Sequence, residues 1–141
     1  MLKTYKATAT KCPEGLKVES NVRGFKLILD EPEEMGGTNT GMNPVEAVLC
    51  ALGSCQSIVA YSFAEAQNFS FDEFHVELEG DISDDADARK GFQEIRFSMH
   101  FKTKESQEKA EAFANFIEKN CPVGDTLANK VKLVRTGVVR D

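Results

Sequence analysis

Residues 43–66 read NPVEAVLCALGSCQSIVAYSFAEA, and the arrangement of the rest of the chain follows from them. Pro44 suits the first position of a helix, where its missing N–H costs nothing, and Asn43 before it is a capping residue. Apolar or small residues then recur at Val45, Val48, Leu49, Leu52, Cys55, Val59, Phe63 and Ala66, the spacing of one helical face. The pattern predicts a helix of about 25 residues with Cys55 on its buried stripe. Ala47, Ala51, Gly53, Ser54 and Ala60 are small enough to let another backbone approach closely. A helix so nearly apolar all round is buried on several sides, within a domain or across a dimer interface.

Outward from this helix, the flanking segments supply layers to cover it. Residues 3–10 alternate and are rich in β-formers, so they read as a strand. Leu16 to Ser20 and Phe25 to Asp30 read as two more, joined by a tight turn at Asn21-Val22-Arg23-Gly24. A loop from Glu31 to Met42 follows. Beyond the helix, Phe71 to Gly80 and Gly91 to Thr103 alternate as two strands. Glu105 to Lys119 is an amphipathic helix with Ala110, Phe113, Ala114, Phe116 and Ile117 inward. Pro122 to Lys130 predicts a short helix, and Val131 to Val139 a last strand. The expected architecture is α+β, a single domain over residues 1–141, without repeats or linkers.

Composition narrows the function. A net charge of −6, with 17 basic residues dispersed along the chain, argues against nucleic acid as a partner. No run approaches the roughly 18 apolar residues that a membrane span needs, so no membrane partner is expected. The first residues lack the apolar segment of a secretory signal, and the expected location is cytoplasmic. Cys12, Cys50, Cys55 and Cys121 include no C-x-x-C pair, and His75 and His100 are distant in sequence. Neither a disulfide framework nor a metal site is expected, and no cofactor.

Several residues invite a chemical reading, each beside a plainer one. Cys55 is either a small core hydrophobe or a thiol held on a packed face for redox chemistry. Cys121 stands before Pro122, which pushes it out of the helical region and makes it an N-cap. Backbone N–H groups and the helix dipole there favour a thiolate. Cys50 lies about 140° round the helix from Cys55 and reads as packing, and Cys12 as an incidental turn thiol.

Glu46 is either an acid–base group or the second half of a capping box with Asn43, and the spacing favours the box. Arg23 is a solvated turn residue or a cation for a thiolate. Gly36, Gly37 and Gly41 make no phosphate motif and read as a flexible loop over a pocket. The acidic run Asp81 to Asp87 lacks the residues of a calcium loop and reads as a hairpin tip. Nothing near His75 or His100 suggests a hydrolytic triad.

These features together resemble the OsmC/Ohr family of osmotically inducible and organic hydroperoxide resistance proteins. The resemblance lies in Ala7-Thr8-Ala9-Thr10, the stretch from Leu29 to Gly37, Asn43-Pro44, the sequence around Cys55, and Cys121-Pro122 with Thr126-Leu127. It implies curved antiparallel sheets packed on long central helices in an intertwined homodimer with active sites at the interface. It further implies that Cys55 is the peroxidatic thiol and Cys121 the resolving one. The substrate would be an organic hydroperoxide or other apolar small molecule, and the reductant a cellular dithiol such as a lipoylated protein.

Two features set the chain apart from the family's peroxidases and toward its OsmC-like branch. The Gly-Gly-Arg turn that supplies their activating arginine is here Lys11-Cys12-Pro13-Glu14-Gly15, leaving Arg23 as the candidate. Their glutamate directly after Asn-Pro is here Val45, with Glu46 one residue later. A non-catalytic dimer that binds an apolar ligand or senses oxidants is the alternative, and a purely structural partner protein a third reading.

Overall fold

The structure is a computed structural model describing residues 1–141. The chain forms two compact units, residues 1–50 and 51–141, divided within the helix α1 (Pro44–Phe63).

In the first unit, β1 (Thr8–Lys11), β2 (Val18–Val22) and β3 (Phe25–Leu29) form an antiparallel meander in that order. The register runs Thr8 to Asn21 and Val18 to Leu29. Arg23 and Gly24 both have positive φ, 53° and 86°, the signature of the two-residue turn whose twist matches the strands it joins. The first strand is shorter than the alternation over residues 3–10 predicts: Leu2 and Tyr5 stand exposed, and pairing begins only at Thr8.

The loop after β3 is pinned rather than flexible. Asp30 is buried, and its carboxylate accepts the Glu31 and Thr40 N–H groups at 2.8 and 3.1 Å. The Thr38 and Thr40 hydroxyls donate to it at 2.5 and 2.9 Å, and the Thr38 N–H at 3.2 Å. A 3₁₀ turn, Glu33–Met35, closes the bend. Gly37 is required by close approach, since a Cβ there would lie 2.0 Å from the Glu31 carbonyl oxygen. Gly37 therefore serves the backbone fold of the loop.

Helix α1 begins with a reciprocal capping box. The Asn43 N–H donates to Glu46 Oε1 at 2.8 Å, and the Glu46 N–H to Asn43 Oδ1 at 2.9 Å. Its regular hydrogen bonding ends at Phe63 after 20 residues, and consecutive turns carry the chain on to Asn68, which takes the left-handed conformation (φ 54°). The Phe69 N–H then reaches the Ala64 carbonyl and the Asn68 N–H the Glu65 carbonyl, a Schellman stop with apolar Phe69 folding back into the core.

In the second unit, β4 (Glu73–Asp81) and β5 (Glu94–Lys102) form an antiparallel pair, followed by α2 (Gln107–Lys119) and α3 (Pro122–Ala128). Its core gathers Val59 and Ala60 of α1 with Phe69, Phe113 and Ile117. Phe71, Phe74, Phe101 and Phe116 pack around them, and Phe69 stacks on Phe113 at 4.8 Å. Such a cluster combines large buried area with favourable ring geometry.

Two expectations are corrected. Residues 131–139 form no strand in the single chain, and Leu133, Val138 and Val139 are almost fully exposed. The β-rich pattern is there, but a strand exists only where a neighbour supplies the ladder hydrogen bonds. Length and composition make α1 long and apolar enough to cross a membrane: an 18-residue window has mean hydropathy 1.3, with 22% of it buried. Ser54, Gln56 and Ser57 break up any uninterrupted apolar run without lowering the average far.

Candidate active site

The second unit brings Cys55 and Cys121 together. Gly53 makes the position of Cys55 possible: a Cβ there would lie 2.7 Å from Leu78 Cδ1, so its absence lets β4 close against α1 two residues upstream. The buried stripe of α1 is Leu52, Gly53, Gln56, Val59 and Ala60. Cys55 sits at its edge, partly exposed, not on the stripe as the periodicity predicts. The inward place is taken by Gln56, which sequence reading passed over as a polar residue. It is 2% exposed and its Oε1 accepts no hydrogen bond. A lone Gln on an apolar helix leaves no signal of inward orientation.

Cys121 is reached through the end of α2. The Asn120 N–H hydrogen bonds back to Phe116 and Ile117, which closes that helix, and Pro122 opens α3. Cys121 is thereby the N-cap, as the Cys-Pro pair predicts, and its Sγ accepts the Gly124 N–H at 3.3 Å. The expected consequence for its acidity is reversed. Burial is the largest influence on the Cys121 thiol and pushes its pKa up, and the Cys55 side chain beside it pushes in the same direction. The Gly124 and Val123 N–H groups oppose this and are outweighed. A thiol at 2% exposure has lost more to desolvation than one helical turn returns.

Above Cys55 opens an apolar recess of about 560 Å³. Ala51, Ser54, Cys55, Ile58 and Ser62 line it from one face of α1, and Asn120 and Pro122 close its far side. No lining residue is charged. A second recess of about 550 Å³ lies between β5 and α2, and contains no cysteine. The chemistry available at the first is therefore that of a partly accessible thiol facing an apolar space, with a buried thiol of raised pKa beside it.

The other candidates belong to the first unit. Glu46 is held in the capping box. Arg23, in the first unit, places its guanidinium over the Phe25 ring at 5.2 Å. Cys50 is exposed, and Cys12 lies in the turn after β1.

Comparison with known proteins agrees with this arrangement of elements. The family model described as OsmC-like protein matches residues 37–134. A hydroperoxide reductase of Mycoplasma genitalium is 26% identical over 105 residues, 73% of this chain and 72% of that protein. Among solved structures, an OsmC-like protein from Mycoplasma pneumoniae superposes with a TM-score of 0.81 at 25% identity, covering 91% of this chain and 89% of that one. An organic hydroperoxide resistance protein from Legionella pneumophila gives 0.69 at 26% identity, covering 90% of each.

Proposed function

The chain belongs to the OsmC-like protein family, and from that premise we propose that it is a thiol-dependent peroxidase acting on organic hydroperoxides through Cys55 and Cys121. The observation that carries this reading is that the Cys55 side chain lies beside Cys121 while Cys55 alone of the two lines the recess. Cys55 meets the apolar space and Cys121 does not, so an incoming hydroperoxide reaches Cys55 first.

The Cys55 thiolate attacks the distal peroxide oxygen. The O–O bond breaks, the alkoxide leaves as the alcohol after taking up a proton, and Cys55 becomes a sulfenic acid. The Cys121 sulfur then attacks the Cys55 sulfur, and hydroxide leaves with the Cys121 proton as water. The product is a disulfide. Two electrons from a dithiol restore both thiols. A buried resolving thiol that stays protonated does not compete for peroxide, which suits the division of labour.

We further propose that the working form is a homodimer. Ile58 and Tyr61 are exposed on α1 beside the recess, and the apolar residues of 131–139 project without a partner strand. A second copy would cover the first and pair with the second.

A specific observation favours the alternative of an apolar-ligand binder or oxidant sensor: the recess holds no cation to stabilise a thiolate. Arg23 is the proposed source. Turnover of cumene hydroperoxide with a dithiol separates the two readings. Peroxidase activity predicts multiple turnovers, lost in Cys55→Ser and confined to about one in Cys121→Ser, with Arg23→Ala slower yet folded. Absence of turnover in the wild type would give the sensor or binder reading the field.

A further inference from the structure

We propose that the outer face of the β4–β5 hairpin is a binding site for a divalent first-row transition-metal ion, formed by His75, Glu77 and His100. The register sets His75 directly opposite His100, and Glu77 follows His75 by two residues on the same face. Val76 and Leu78 point the other way, so this face is separate from the side of β4 that packs on α1.

The two imidazoles stack with centroids 4.5 Å apart and planes 8° from parallel. Glu77 Oε2 lies 3.0 Å from His100 Nε2 and 4.0 Å from His75 Nε2. One ligand atom from each residue falls within 4.8 Å of the other two. Donor atoms around tetrahedral zinc stand about 3.3 Å apart, given metal–nitrogen bonds of about 2.0–2.1 Å. The exposed side chains must rotate to cover that difference and to tilt the stacked ring planes toward a common point.

The surrounding charges reserve Glu77 for this purpose. Glu79, Asp81 and Glu94 all converge on Arg96, at 2.9, 2.7 and 2.7 Å. No lysine or arginine pairs with Glu77, whose only ionic neighbours are the two histidines. Two imidazoles and one carboxylate suit zinc and its neighbours in the first row better than magnesium or calcium. A hydrolytic relay is a poorer reading, because Ser98 Oγ approaches the same nitrogen of His100 as Glu77 does, at 3.0 Å. A relay needs its nucleophile and its orienting carboxylate on opposite ring nitrogens.

The test uses untagged protein of residues 1–141 titrated with zinc chloride, and then with cobalt(II) and nickel(II). The expected result is one zinc per chain, with affinity about 10- to 100-fold lower in His75→Ala, His100→Ala and Glu77→Gln, and unchanged in Glu79→Gln. The cobalt complex should lack a thiolate charge-transfer band. Nickel should broaden the ring resonances of both histidines in the wild type, a readout that needs no variant because the chain has only two. Undiminished zinc binding in the His75→Ala/His100→Ala double variant would overturn the proposal. So would a thiolate band that accounts for the bound cobalt, or histidine signals untouched by nickel.

Discussion

At the residue scale, the most informative positions are those whose chemistry depends on what covers them. The Cys-Pro pair announced Cys121 as a cap, and the Gly124 N–H bond is there. Its acidity was not legible, because burial comes from residues far away in sequence, and burial is the larger influence. His75 and His100 pose the same difficulty: only the strand register reveals that they face one another.

Asp30 supplies a prediction of this kind. The Thr38 hydroxyl, then the backbone N–H groups of Glu31 and Thr40 and the Thr40 hydroxyl, hold its carboxyl well below the ordinary value of 3.8, against an opposing push from burial. A carboxyl lowered in the folded state contributes stability that is complete above its unfolded value and drains away as pH falls through the range below it. Thermal melts should therefore show wild type losing stability below about pH 4. Asp30→Asn should melt lower than wild type at pH 7, with a gap that narrows on acidification. A gap independent of pH would mean that the carboxylate charge is not what fixes the loop.

Elements were legible wherever periodicity and capping agreed. The capping box at Asn43 and Glu46, the amphipathic stripe of α2, and the alternation of β4 and β5 all place elements where the structure has them. Ends were less legible, since regular α1 closes at Phe63 and turns run on to a left-handed Asn68, a change that leaves no mark on the apolar pattern. The orientation of α1 also escaped the pattern, because Gly53 and Gln56 rather than Cys55 turn inward. The aromatic cluster is the element-scale anchor of the second unit, with Phe113 buried and stacked on Phe69. Phe113→Ala should cost about 3–5 kcal/mol in chemical denaturation, through lost burial and the cavity left behind. A loss below about 1 kcal/mol would show that the cluster collapses to refill the space.

For the whole molecule, a single chain leaves much apolar surface uncovered, from Ile58 and Tyr61 on α1 to Leu133, Val138 and Val139. A sequence pattern records that residues 131–139 favour a strand, and is silent on which chain supplies the neighbour. Sedimentation at micromolar concentration should show a dimer, and removal of residues 131–141 should weaken it. A stable, folded wild-type monomer would contradict the dimer. The peroxidase reading itself rests on one linkage between two of the four thiols, and peptide mapping after one equivalent of cumene hydroperoxide tests it most directly. The account predicts a Cys55–Cys121 disulfide formed as the alcohol is released, with Cys12 and Cys50 still free. Recovery of Cys55 joined to Cys12 or Cys50 instead, or peroxide consumed with both Cys55 and Cys121 unmodified, would contradict it.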